Sequence, residues 1–537
     1  MSPRQVVRIG DGGRWTFLNG AWIDGPRDSL LVPKHMLRHD GPAIQGHHYA
    51  FLRDAAYGEI HLRFQFRHFP HSDVGIIFGA EDPSRFFLLH FPDCGQASRA
   101  ANFWAALSHM EGNGYLRILK MELVRRVAST NRVWHAAEVH ISQGALRVRI
   151  DDSGLFEALH PALGRPGRVG LYLFNGADLR RVFAEGEQDS STKWNADPRP
   201  PKNWFHPCPD TRFGKWQRPR ELVRTPGGDL LLDFGVQEEP YRGRITHLFL
   251  RSADNGKTWS EPEEPQGLPA EGGRIIHVFP DSRLRMLILR ENASYIAESM
   301  DDGRTWSKPE RIGLPATPPG VDRIHPGPLL NLRDGSTLMF GYAKHVSSNI
   351  QDSIFSWGSH HCQAFACRST DGGISWSSWV NLDGTRDTSG ERIGGNLDLT
   401  EVCGVETSDG SILALTRPIY SPWMWETWSR DGGRTWEPCL RGPFPGYATS
   451  NMVRTSSGAF VVAHRLPGCT IHVSWDDGRT WDGGTMIDSA IWVMGSMLEV
   501  APDLLLYVYW DSFESLMRAQ FIRITREGPV PVRREEL

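Results

Sequence analysis

The sequence is short of three things. No run of about eighteen apolar residues occurs, so no membrane-spanning helix is expected. No charge of one sign dominates: 59 Lys and Arg stand against 63 Asp and Glu, which argues against nucleic acid or a membrane as a partner. Cysteine is scarce, seven residues in 537 and none in CxxC pairs, which excludes a disulfide-built scaffold. The opening stretch, Met1 to Trp15, has no apolar core of a secretory leader. Together these features predict a reduced, cytoplasmic protein, or a secreted one if a leader has been removed. No cofactor and no metal are expected. His360, His361, Cys362 and Cys367 offer ligand atoms, but neighbours on a strand point to opposite faces and cannot all converge.

Long segments of helical period are also missing; short strands take their place. In residues 1–190, Gly58 to Arg67, Trp134 to Ile141 and Ala145 to Asp151 alternate apolar and polar residues. That period of two predicts an all-β fold, here a β-sandwich with one buried face per sheet. Residues 191–203 are polar and Pro-rich, a linker composition. The length and a hydrophobic content of 40% suit two or three globular domains.

Beyond the linker a segment of form S-x-D-x-G-x-[ST]-W occurs five times, starting at Ser252, Ser299, Ser369, Ser429 and Ser474, at spacings of 47, 70, 60 and 45 residues. Each reads as a hairpin turn. The Asp caps backbone N–H groups, the Gly supplies a positive φ, and the Trp begins the return strand. Repetition at this period predicts small sheets arranged radially. The repeats resemble the Asp boxes of the sialidase (neuraminidase) superfamily over about 204–537. The resemblance implies a six-bladed β-propeller, with the last blade from Met494 to about Ile524, closed by a strand from near 204–216. The order of N-terminal strands is similar to the concanavalin-like (laminin G-like) sandwich.

The resemblance also implies a site. Sialidases hold a substrate carboxylate with three arginines, because planar guanidinium forks match its two oxygens. Arg218 falls on the first position. Glu401, followed by Asp409-Gly410 and then by Arg417 sixteen residues after the Glu, matches a fourth-blade element in which Glu and Arg pair across adjacent strands. Arg465 is the candidate third arginine. The family's tyrosine nucleophile is replaced, since the alignment puts Gly495 at its position. Tyr507, Tyr509 and Tyr447 are no clean substitutes. The loop that carries the family's acid offers Glu238 or Glu239. His325 opens the third inner strand at the position equivalent to Arg218, either as a catalytic group or as a hydrogen-bonded strand histidine. Trp423 and Trp425 form a sugar-stacking wall or blade packing.

Three readings follow. One is an exo-acting glycoside hydrolase on a terminal acidic sugar (a sialic acid, a related ulosonic acid or a uronic acid), working without the tyrosine. The second is a polysaccharide lyase on a uronate. The third is a non-catalytic glycan-binding propeller. A carbohydrate is the expected partner in all three.

Overall fold

The computed structural model describes residues 15–18, 23–25, 29–31, 48–67, 72–92, 103–124, 133–151, 153–174, 178–189, 191–195, 197–238, 244–268, 273–289, 293–321, 324–344, 362–383, 399–418, 423–446, 449–488, 494–510 and 516–537. Described residues are almost wholly β; a single turn of 3₁₀ helix, Arg534–Glu536, is the exception. The chain divides into two units. The first is Met1–Lys202 together with Leu466–Thr470 and Gly483–Ile491; the second is the remainder. The sequence division at 190/204 did not foresee the two later segments.

In the first unit the long strand His48–Arg67 organises the rest. Its first half pairs with Gly167–Phe174, and its second half with His135–Ser142 and Asp178–Asp189. The alternation read from sequence is realised: Leu62, Phe64 and Phe66 are buried beside Val139 and Ile141 in one apolar core. Strand Thr485–Asp488 also belongs here, pairing through Thr485 and Met486 with Arg117 and Leu116.

Among the described residues of the second unit five separate antiparallel sheets stand as blades, rather than the expected six. Their first strands are Trp216–Arg224, Gly273–Val278, His325–Asn331, Leu399–Glu406 and Met494–Ala501. The hairpin Thr449–Arg454 with Phe460–His464 is not a sheet of its own. Further along the chain, Thr485–Asp488 pairs with Leu116 and Arg117 within the first unit. The hairpin's first strand nevertheless packs between Leu399–Glu406 and Met494–Ala501. The last blade takes its fourth strand from Gly528–Val532 rather than from near 204–216, and of that segment only Phe205 bridges to Ala519 on the third strand.

The five S-x-D-x-G-x-[ST]-W turns share one set of hydrogen bonds. In the fourth, the Gly433 amide donates to Ser429 Oγ at 2.8 Å, while the Thr435 amide and hydroxyl donate to the two Asp431 oxygens at 2.9 and 2.6 Å. The glycine has a second duty. A Cβ on Gly433 (φ +84°) would lie 2.7 Å from Leu338, in the blade before it. Gly303 meets Leu231, Gly373 meets Phe279, Gly478 meets Leu413 and Gly256 meets Leu506 in the same way. Each turn therefore abuts the first hairpin of its neighbour, and absence of a side chain lets the blades close on one another.

Candidate functional site

Two cavities stand out among the described residues of the second unit. The larger, about 540 Å³, lies beside Leu289, Ile312 and Trp379 and has Arg311 as its one ionisable wall residue. The other, about 430 Å³, draws its walls from the first strands of the blades and concentrates charge: Arg218, Arg220, Glu221, Arg274, His325 and Glu401 all face it. Chemistry belongs to the second.

Three backbone bulges build this pocket. In the first blade the ladder slips between Pro219 and Leu222, leaving Arg220 and Glu221 opposite one residue. In the third it slips between Pro326 and Leu329, and in the fourth between Leu399 and Val402, freeing Thr400 and Glu401. A bulge turns a side chain out of the alternating pattern and toward the axis. Glu221 and Glu401 thus occupy the same place in two different blades.

Glu401 is half-buried and accepts a 2.8 Å hydrogen bond from Arg417 Nη1 on the adjacent strand. Arg417 and Arg465 are both buried. Burial raises the Glu401 carboxyl, but attraction to Arg417 and then Arg465 outweighs it, so the group lies below the usual carboxylate range. Glu221 is the opposite case. Burial, with repulsion from Asp233 and despite attraction to Arg220, pushes its carboxyl up to about 8. Two carboxyls on one pocket wall are therefore held in opposite protonation states at neutral pH.

The remaining walls follow. Arg218 stacks over Trp510, 4.8 Å from the ring centroid. Arg274 is buried, and its pKa is lowered by that burial. His325 faces Tyr342 across the ladder with ring centroids 5.3 Å apart. Burial and then the nearby Glu401 push the Tyr342 phenol up to about 12, so it stays neutral. Gly495 is pressed so tightly against the next strand that a Cβ would lie 2.3 Å from the Val508 carbonyl oxygen. No side chain fits there, so position 495 does not admit a tyrosine. Tyr507 and Tyr509 are fully buried and stacked on each other at 4.9 Å.

The repeats that position these residues can now be placed. Residues 289–491 match the family model of the BNR repeat-like domain. Those residues carry BNR-like repeats within the β-propeller-like second unit. Solved structures similar to the chain include Hadza microbial sialidase Hz136, at 15% identity, covering 91% of this chain and 97% of that one, with a TM-score of 0.46. Leech intramolecular trans-sialidase, solved with 2,7-anhydro-Neu5Ac, matches at 12% identity over 87% and 94%, TM-score 0.44. Penicillium chrysogenum alpha-L-arabinanase with arabinobiose matches at 14% over 62% and 97%, TM-score 0.41. No curated protein matches the chain.

Within the second unit, Arg218, His325 and Glu401 line one pocket, and Arg417 and Arg465 act on Glu401 rather than forming wall themselves. Glu238 is exposed just after the wall residue Gln237; Glu239 and Tyr447 lie outside the described residues, as do His360 and His361. Trp423 and Trp425 do not line the pocket. They stand on the third strand of their blade, where Trp425 packs against the core around Trp436 and Trp423 receives Arg441 at 4.5 Å, because that strand is two ladders from the axis. Sequence reasoning missed Arg220, Glu221, Arg274 and Tyr342. Only Arg274 carried a signal, since it opens the second blade's first strand as Arg218 and His325 do in theirs.

Proposed function

We propose that the protein is an exo-acting glycoside hydrolase for a terminal acidic sugar, with Glu401 as general base and Glu221 as general acid. One observation carries the reading: a carboxylate kept ionised by two buried arginines shares a pocket with three further arginines and a carboxyl kept neutral. Arg218, Arg220 and Arg274 would bind the sugar carboxylate. Glu401 would take a proton from water as its oxygen bonds to the anomeric carbon. The glycosidic C–O bond breaks, and Glu221 gives its proton to the leaving oxygen. This inverting route needs no tyrosine.

The first test is a panel of aryl glycosides, acidic and neutral. Acidic sugars should be hydrolysed and neutral isosteres ignored. Arg218→Ala should raise KM for the acidic substrate by about 10- to 100-fold with a smaller effect on kcat, as expected for a charge-assisted contact present before and during reaction. Turnover of the neutral series alone would sink the acidic-sugar reading.

The second test is pH. Activity should need Glu401 ionised and Glu221 protonated, giving an alkaline limb near pH 8. Glu221→Gln should remove that limb and slow substrates with poor leaving groups most. Stability should move the other way. The folded pKa of Glu221 lies above the ordinary 4.5, so ionisation favours the unfolded chain as pH rises from there to about 8. The Gln variant should therefore be more stable than the parent at pH 7, and equal to it at pH 4. Equal stability at both would contradict the burial of a neutral acid.

A second reading rests on the His325–Tyr342 pair in the same arginine-lined pocket, a base and a phenol suited to proton abstraction from a uronate. A lyase releases an unsaturated product that absorbs in the ultraviolet; the hydrolase releases reducing sugar without it. The finer architecture proposed here has the hairpin Thr449–His464 as sixth position of the ring, supported by Gly478 meeting Leu413, and a concanavalin-like sandwich at 1–190 that takes no part in catalysis.

A further inference from the structure

We propose that the first unit binds a divalent transition-metal ion through His61, Glu138 and His140. His61, in strand His48–Arg67, and His140, in strand His135–Ser142, are direct register partners. Directly opposed residues on neighbouring strands hold their Cβ atoms about 5 Å apart, and a residue two places along shares the same face. Glu138 is that residue, and the three side chains form a tripod on one face of the sheet.

The donor atoms already converge. Glu138 Oε1 is 2.8 Å from His61 Nε2 and 3.5 Å from His140 Nε2, and the two imidazoles stack at 3.9 Å with their planes 13° apart. All three ligand atoms lie within 4.8 Å of one another. Ligand atoms around a tetrahedral ion with bonds near 2.1 Å stand roughly 3.4 Å apart, so a small rotation of His140 completes the geometry. His140 is half exposed, at 52%, and free to make it.

Two neutral imidazoles and one carboxylate suit zinc, cobalt, nickel or copper, and do not suit calcium or magnesium, which prefer all-oxygen cages. Three protein ligands leave a fourth position open to solvent. Charged neighbours balance locally: Arg149 lies 3.7 Å from Glu138, while Arg63 pairs at 2.5 Å with Glu185, itself 4.0 Å from His61. Glu185 Oε2 lies 4.0 Å from the other ring nitrogen of His61, too far to accept a hydrogen bond, and adds negative charge beside the ring.

The experiment uses the full chain stripped with chelator, titrated with zinc by calorimetry and with cobalt by visible absorption. One ion should bind with micromolar or tighter affinity, and cobalt should show the intense bands of a four-coordinate site. His140→Ala, at an exposed position, should keep the fold and weaken binding at least tenfold; His61→Ala and Glu138→Gln should do likewise. Absence of binding by the parent chain would overturn the proposal. So would parent-like affinity in both histidine variants, since the ion would then sit elsewhere.

Discussion

Glu401→Gln should lower kcat on an acidic glycoside by about 10³-fold, within the usual range for loss of a general base, with little change in KM. The substitution keeps the shape of the side chain and removes its charge. Arg417 and Arg465, both buried, are then left without the Glu401 anion they attract. An uncompensated buried charge costs roughly 3–5 kcal/mol, less here because the pocket is open to water, so the unfolding midpoint should fall as well. A substrate carboxylate can replace the missing charge. Ligand should therefore stabilise the variant more than the parent, which separates this outcome from simple misfolding. The parent should show the matching acid limb. The folded pKa of Glu401 is depressed, so its contribution to stability is complete above the ordinary carboxylate range and disappears as pH falls through the folded value. Retention of kcat within about threefold in a folded Gln variant would remove Glu401 from the chemistry.

Gly433→Ala should destabilise the propeller by about 2–4 kcal/mol, the sum of a left-handed backbone and overpacking of a full core. Gly433 has φ +84°, and its new methyl would come within 2.7–2.8 Å of both Leu338 methyl groups, which are wholly buried. Gly410→Ala is the control. Its φ is +86°, yet nothing lies within 4 Å of the added Cβ. It should lose only the backbone share, roughly 1–2 kcal/mol. Denaturant midpoints of the two variants measure the difference. Equal losses would mean that the turns do not lock neighbouring blades, and that the five glycines are kept for the hairpin alone.

Much of the second unit was legible because its signals are local. A turn of eight residues carries its own hydrogen-bond donors and acceptors, so Ser429, Asp431, Gly433 and Thr435 specify the same turn wherever they occur. Strand alternation is equally local, and it placed Leu62, Phe64 and Phe66 inside. The pairing of Glu401 with Arg417 needed only two strands and the hairpin between them. Trp423 and Trp425 were harder, because whether a strand lies at the axis or two ladders away depends on the whole blade. The placing of Thr485–Asp488 was hidden for a similar reason: its partners, Leu116 and Arg117, stand some 370 residues earlier in the chain.

The sequence by itself determined an all-β chain, five repeated turns, and an arginine-rich site with Glu401 and Arg417 paired across a hairpin. Only the tertiary structure decided which carboxyls share the pocket and what state they are in. Three bulges, at 220–221, 327–328 and 400–401, shift the side-chain alternation by one residue. Glutamate and threonine are not residue types that mark a bulge, so Glu221 and Thr400-Glu401 gave no sign of one. It arises where the strand must bend to follow the ring, and it aims Glu221 at the same cavity as Glu401. Protonation is decided the same way. Two glutamates of identical intrinsic acidity are driven apart by burial that attraction to Arg220 does not offset in one case and by two buried arginines in the other.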